Sequence, residues 1–395
     1  MPGPEDPISY QSTGVDYDAM DPFKRAAQLA AFETSPNIER TGLSVVERSR
    51  GESAFVLDEG DRYTAHVVEG LGTKNLVADQ MRLLRLANQA EIAAVMQGMT
   101  GDTYYDRIAK DTVAMIINDL VTVGADPVVI NAYCAVGDSA WFDDEQRAVD
   151  LVKGWKRACD ESGATWGGGE TPTLAGVINP ATIDLAGSAY GVIRPKERLT
   201  LGDKLQEGDA IMLVESSGIH ANGLSLARRI AVNISKDSEV SLPEAYTTQL
   251  SDGKMYGEAL LTPTHIYAGL IRELFESGVD IHYMANITGH GWRKLMRYAD
   301  RDFTYRMYDV PTPQPVFDFM QKESHNDDRE MYGNLNMGAG FALYVPRDMV
   351  SMVEEVAFRK QGLNVLNAGV VEKGPRQVVI EPKNLVFAAD TLGVR

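Results

Sequence analysis

The sequence predicts a two-domain protein of the α/β (α+β) class, and three observations lead there. Strand-like and helix-like segments alternate along the whole chain rather than segregating. Its 395 residues exceed what one small core organises well and suit two. A charged, turn-rich stretch at residues 194–208, with Pro195 and two Gly-Asp pairs, lies between two such mixtures and reads as a linker. The chain is therefore divided into an N-terminal arm (residues 1–40), an N-terminal domain (41–196) and a C-terminal domain (197–395).

The arm is polar, with one short helix expected near residues 23–32. Alternating β-formers at 53–57 and 62–68, joined by Asp58-Glu59-Gly60-Asp61, predict two paired strands. Helical spacing runs from Tyr105 to Val123. Val113, Ile116, Ile117 and Leu120 share one face, while Asp111 and Asn118 share the other with Asp119 beside them. Gly124-Ala125-Asp126-Pro127 ends that helix. A buried strand is expected over 128–136, an amphipathic helix over 143–162 closed by Gly163, and another strand over 183–193. Beyond the linker, a strand at 210–214 feeds a small-residue loop and a helix at 224–232, an arrangement suited to anions. A helix at 264–277, a loop at 286–291, a polar break through 311–315 and 325–328, a strand at 340–345 and a helix at 347–360 complete the chain.

Composition narrows the function classes. Hydrophobic residues make up 44% and charged residues 24%, as in ordinary globular proteins. No run reaches the length of a membrane span, and Met1-Pro2-Gly3-Pro4-Glu5-Asp6 lacks the positive and apolar regions of a secretory signal. Cys134 and Cys159 match no metal spacing and form no framework, so a reducing, cytoplasmic compartment is expected. Lys and Arg number 38 against 56 Asp and Glu, a net charge of -18, which argues against nucleic acid as the main partner. The same acidity is compatible with ATP where carboxylates hold Mg²⁺ and backbone N–H groups meet phosphate.

Four constellations carry chemistry. In Glu69-Gly70-Leu71-Gly72-Thr73-Lys74, two residues without Cβ atoms let backbone N–H groups approach an anion, with Lys74 able to neutralise phosphate; a plain turn fits equally well. Asp111, Asn118 and Asp119 offer hard oxygen ligands for Mg²⁺, against the commoner meaning of a solvated helix face. Gly167-Gly168-Gly169-Glu170-Thr171 reads as a rigid turn projecting Glu170, either as a further ligand or as a surface carboxylate. Ser216-Ser217-Gly218-Ile219-His220-Ala221-Asn222-Gly223 sets hydroxyls, an amide and an imidazole at a helix start. His220 there could bind phosphate or move protons, or sit incidentally beside a Ser or Asn cap. His66, His265, His282 and His325 read as structural, and His290 stays open.

In this order the segments resemble the phosphoribosylformylglycinamidine cyclo-ligase family, the aminoimidazole ribonucleotide synthetases. Tyr10…Gly14-Val15-Asp16 resembles Y-x-x-x-G-V-D, residues 69–74 resemble D-G-V-G-T-K, and residues 111–120 resemble D-L-V-A-M-x-x-N-D-L. Residues 124–127 resemble G-A-E-P, residues 168–171 match G-G-E-T, and residues 184–187 match D-L-A-G. Residues 216–223 resemble S-S-G-x-H-S-N-G and residues 260–267 resemble L-L-T-P-T-R-I-Y. Asn286-Ile287-Thr288-Gly289-His290-Gly291 resembles H-I-T-G-G-G, and residues 336–340 resemble N-x-G-x-G. The likeness runs from about residue 10 to about residue 372, and its weight lies in the ordered set.

That resemblance implies a two-domain synthetase-like fold whose N-terminal domains pair strands across a homodimer, and an ATP- and Mg²⁺-dependent ring closure of formylglycinamidine ribonucleotide in purine synthesis. It implies His220 and Lys74 as catalytic groups. Gly70, Gly72, Thr73, Asp111, Asn118 and Glu170 would bind ATP, and Glu69, Asp111 and Asp119 would bind the metal. Ser217, Gly218, Asn222, Thr288 and Gly289 would line the ribonucleotide site. Four departures stand out. Glu69 replaces Asp, His290 replaces Gly, residues 75–108 are longer than the family pattern, and the upstream glycine-rich segment shrinks to Gly51-Glu52-Ser53-Ala54-Phe55. Two rivals stay open: another ATP-using relative and an inactive nucleotide-binding paralogue. Among relatives, selenophosphate synthetase calls for an early reactive Cys, the hydrogenase-maturation relative for a terminal Cys, and thiamine-phosphate kinase for a different 216–223 segment.

Overall fold

A computed structural model describes residues 7–92 and 103–392, which form two mixed sheets with helices against them. The first sheet holds β1 (Ser44–Val45), β2 (Phe55–Asp58), β3 (Tyr63–Gly70), β4 (Asp126–Val136), β5 (Thr165–Glu170) and β6 (Ile183–Ile193), in the order β1-β2-β3-β6-β4-β5. All pairings are antiparallel except β4 with β5. The second sheet holds β7 (Ala210–Glu215), β8 (Tyr283–Asn286), β9 (Phe303–Met307), β10 (Ala339–Val345), β11 (Val365–Lys373), β12 (Gln377–Ile380) and β13 (Leu385–Ala388). Its order is β13-β12-β9-β11-β7-β10-β8, with β9 and β12 parallel. No helix among the described residues is long and apolar enough to cross a membrane.

Each sheet is formed by the segments whose apolar spacing called for strands. In β6, Ile183, Leu185, Ala189 and Ile193 point inward and are buried. The arm helix α1 (Tyr17–Glu33) starts earlier than expected because Asp16 caps it, its side chain accepting from the Ala19 N–H. The helix α2 (Lys74–Ile92) was not anticipated; it fills most of the stretch that is long for the family, whose residues 93–102 lie outside the described ones.

The helix α3 (Tyr105–Val121) corrects the solvated-face alternative. Val113, Ile116, Ile117 and Leu120 are buried against β3 and β6, but the polar side is buried too, with Asp111 0%, Asn118 1% and Asp119 5% exposed. The reason is the C-terminal domain, which lies over that face and supplies partners for each polar group. The helix α4 (Glu145–Ser162) packs on α3 at Gly154, where an added Cβ would meet the Asp106 carbonyl oxygen at 2.3 Å.

Two further expectations shift. Residues 165–170 form an edge strand rather than a rigid turn, because Gly168 and Gly169 pair with Asn131 and Ala132; at Gly169 a Cβ would stand 2.1 Å from the Ala132 oxygen. The helix expected from residue 264 begins at Ala268, since Asp111 and Asn118 claim the N–H groups of Thr264 and Tyr267 and hold 261–267 irregular. The polar breaks at 311–315 and 325–328 flank the helix Pro315–Ser324, which is ended by His325 in a left-handed conformation.

Gly154→Ala is expected to destabilise the protein by about 1–3 kcal/mol, the usual cost of overpacking. Urea denaturation followed by fluorescence checks it, and an unchanged midpoint would mean that α3 and α4 separate easily.

Candidate active site

A cavity of about 480 Å³ opens where the two domains and the arm meet. One wall is the end of β3 and the turn into α2: Glu69, Gly70, Leu71, Gly72 and Thr73. Facing it is the entry to the helix α5 (Leu224–Asp237), from Ala221 to Ser225. Thr288, Gly289, His290 and Lys294 close a third side, and Tyr10, Val15 and Met20 of the arm a fourth. Two helix N-termini, of α2 and α5, thus border one space, each presenting backbone N–H groups and a positive dipole end to an anion. Gly72 and Gly223 adopt positive φ (72° and 81°) at these turns.

Seven of the residues expected from the sequence line the cavity: Glu69, Gly70, Gly72, Thr73, Asn222, Thr288 and Gly289. Asp119 stands behind Glu69 and shares a hydrogen bond with it; its Oδ1 accepts from Asn286 Nδ2 at 2.7 Å. Burial and, after it, the Asp119 charge push the Glu69 carboxyl up to about 7. Two carboxyls held together by a proton form a site where a divalent cation can replace that proton. Mg²⁺, which takes one or two carboxylates plus phosphate oxygens, fits this pair.

The other expected residues lie elsewhere. Lys74, expected on phosphate, turns inward and is fully buried. Its Nζ meets Asp111 Oδ2 at 2.7 Å and donates to the carbonyl oxygens of His220 at 2.8 Å and Thr262 at 3.1 Å. Burial pulls its pKa down, with Asp111 opposing. Asp111 is correspondingly absent from the Glu69–Asp119 pair; its Oδ1 accepts from the Thr264 N–H at 2.7 Å and from the Thr264 hydroxyl. Among the described residues no three His, Cys, Asp or Glu side chains gather as a metal cluster. Asn118 is a bracket, donating to the His265 carbonyl at 2.7 Å and accepting from the Tyr267 N–H at 2.8 Å. Glu170 sits on the exposed edge strand.

His220 is 2% exposed and in a left-handed conformation (φ 60°). Its Nε2 accepts from the Ser217 N–H at 3.2 Å. Burial, then His265 and Lys74, hold its pKa well below the ordinary value, so the ring is a neutral acceptor. Ser217 Oγ donates to the Pro263 carbonyl at 2.7 Å, and the Gly218 carbonyl accepts from Asn336 Nδ2 at 2.9 Å. His220, Ser217 and Gly218 therefore shape the loop from inside while Ala221 to Ser225 face the cavity.

Both halves of the chain match family models: residues 78–193 match the AIR synthase related protein N-terminal domain and residues 206–381 its C-terminal domain. The chain belongs to the AIR synthase related family. A phosphoribosylformylglycinamidine cyclo-ligase of Methanococcus maripaludis is 32% identical over 350 residues, covering 89% of this chain and 88% of that one. Its counterpart from Methanosarcina barkeri is 30% identical over 363 residues, covering 92% and 96%. Among solved structures, AaThiL complexed with AMPPCP and TMP shares the fold at 11% identity, with a TM-score of 0.53 over 85% of this chain and 89% of that one.

In this AIR synthase related protein the cavity also holds a cation that the sequence motifs do not mark. Lys294 lies in the short 3-10 helix Gly291–Met296 and donates to Thr288 Oγ1 at 2.7 Å. The signal was a cation just past a glycine-rich loop, the pattern that had drawn attention to Lys74. His290, which stayed open, takes a left-handed φ of 69° where the family pattern has glycine.

Lys74→Ala is expected to cost about 3–5 kcal/mol, since it strands Asp111 without its partner. Lys74→Met combined with Asp111→Asn removes the stranded charge and should recover most of that loss in urea denaturation. The Glu69 pKa sets a second expectation. Below about 7 the carboxyl is protonated and neutral, so Mg²⁺ affinity, read by calorimetry, should fall about tenfold per pH unit from pH 7 downward. Glu69→Gln should flatten that profile.

Proposed function

We propose that this chain catalyses the ATP-dependent closure of formylglycinamidine ribonucleotide to aminoimidazole ribonucleotide, releasing ADP and phosphate. The observation that carries the reading is the cavity itself, with half-buried Glu69 on one wall, Asp119 behind it, and a helix mouth on the facing wall. The names of the relatives at 30–32% identity, spanning almost the whole chain, support it.

The reaction requires two anionic ligands in contact. The formyl oxygen attacks the γ-phosphorus of ATP, the bond to the bridging oxygen breaks, and ADP leaves with the electron pair. The amidine-side nitrogen then attacks the activated carbon and loses a proton, the carbon–oxygen bond breaks, and phosphate leaves. Glu69 and Asp119 would hold Mg²⁺, which when bound neutralises charge on the phosphates. Backbone N–H groups of Gly70, Gly72 and Thr73 would face the nucleotide. Asn222 and the first N–H groups of α5 would grip the ribonucleotide phosphate, with Thr288 and Gly289 alongside. Lys74, Asp111, Asn118 and His220 would act by fixing these walls, and Ser217 and Gly218 by shaping the loop. In this reading the protein is a cytoplasmic homodimer; Cys134 and Cys159 are free thiols, and Val68, 76% exposed on β3, belongs to the face a second copy would cover.

Incubation of the purified protein with ATP, Mg²⁺ and formylglycinamidine ribonucleotide should yield aminoimidazole product and ADP in equal amounts, and Glu69→Ala should lower turnover by about a hundredfold. ADP release without the aminoimidazole would point instead to another ATP-using activity of the family. Ligand-induced stabilisation with no turnover would mark an inactive paralogue.

A further inference from the structure

The transfer of a phosphoryl group calls for fixed positive charge beside the metal. Among the described residues lining the cavity, Lys294 is the one Lys or Arg side chain. Lys74 cannot serve in this geometry, because its three ammonium hydrogens are taken by Asp111 and two carbonyls. His290, the neighbouring basic side chain, is held neutral: burial, then Arg293 and Lys294, pull it down to about 3.

Lys294 is placed for the task by its surroundings. Its ammonium lines the cavity and donates to Thr288 Oγ1 at 2.7 Å, which uses one of the three N–H donors an ammonium carries. Burial, then Arg297, pull its pKa down to about 8, while Asp119 and Glu69 oppose them and favour the charged form. Arg297 itself is anchored away from the space, on the Gly51 carbonyl at 3.0 Å and Ser53 Oγ at 2.7 Å. The 3-10 helix carrying Lys294 begins at Gly291, directly after left-handed His290, and a Cβ at Gly291 would stand 2.4 Å from the Tyr332 oxygen, so the helix has little room to shift.

We propose that Lys294 is a catalytic residue: its ammonium contacts the non-bridging oxygens of the phosphoryl group that moves from ATP, on the side of the cavity where Glu69 and Asp119 hold the metal. It keeps its proton throughout and stabilises the charge that spreads over those oxygens as the bond to ADP breaks. The inference rests on the reading that ATP occupies this cavity, and it assigns to Lys294 the part that the sequence pattern suggested for Lys74.

Two measurements on the full chain decide it. The first is lysine acetylation followed by mass spectrometry, with Mg²⁺ alone, Mg²⁺ with AMP, and Mg²⁺ with AMPPCP. With AMPPCP at about ten times its Kd, labelling of Lys294 should slow about tenfold, in line with the fraction of empty sites, and AMP should leave it nearly unchanged. Equal protection by AMP, or none by AMPPCP, overturns the proposal. The second is turnover: Lys294→Met should lower kcat by about 10²- to 10³-fold with little change in the KM for ATP or in the melting temperature, and Lys294→Arg should restore part of it. Turnover within about threefold of the parent overturns the proposal, that being far below the cost of losing a transition-state donor. Should Lys294→Met not fold, Lys294→Arg and the labelling decide. AMPPCP-specific protection without any aminoimidazole product would uphold the phosphoryl contact and sink the ring-closure reading, whereas product without protection would do the reverse.

Discussion

One buried ion pair, Lys74 with Asp111, holds the architecture of the cavity. Both side chains are fully enclosed, and taking two charges out of water costs more than their attraction returns unless every donor and acceptor is used. Here nearly all are, by the carbonyls of His220 and Thr262 and by the N–H and hydroxyl of Thr264. The result is geometric: four segments distant in sequence are pinned at one point. Thr73 and Gly72 are adjacent to Lys74, Ala221 and Asn222 follow His220, and these neighbours form opposite walls of the cavity. Asn118, two turns along α3 from Asp111, ties the 265–267 segment in a second place.

The pinning divides labour among residues of similar type. Of two lysines, one braces the walls and one faces the space between them. Of three acidic groups on or near α3, Asp111 belongs to the brace while Asp119 joins Glu69 as a proton-sharing pair. The imidazole of His220 is neutral and spent on Ser217, so the loop before α5 is shaped from within and presents mostly backbone to the cavity. In the proposed function, recognition by backbone N–H groups and a carboxylate-held cation would reconcile a chain of net charge -18 with phosphate-bearing ligands.

The class of fold and most elements were legible because their apolar spacing is regular, as in β6 and α3. What escaped has physical causes. The polar face of α3 looked solvated, since Asp111, Asn118 and Asp119 carry no mark that another domain covers them. Triple glycine at 167–169 read as a turn, whereas it permits a strand to approach β4 within a distance that no Cβ allows. Within the candidate site, the motif residues Glu69–Thr73, Asn222 and Thr288–Gly289 line the cavity, but a motif does not say which way each side chain turns. Lys74 and Lys294 both follow glycine-rich loops, and only three-dimensional packing distinguishes the brace from the cavity cation.

The arm supplies the last wall, and it is held by both halves of the chain, Arg50 of the N-terminal half donating to Ser35 Oγ at 2.7 Å. Ile8 and Tyr10 bond to Ser324 and Glu330 of the C-terminal half, while Tyr10, Val15 and Met20 reach across to the β3–α2 turn. The seventeen-residue helix of the arm starts among these wall residues, where the Asp16 side chain caps it. The cavity thus takes one of its four sides from a segment that belongs to neither sheet.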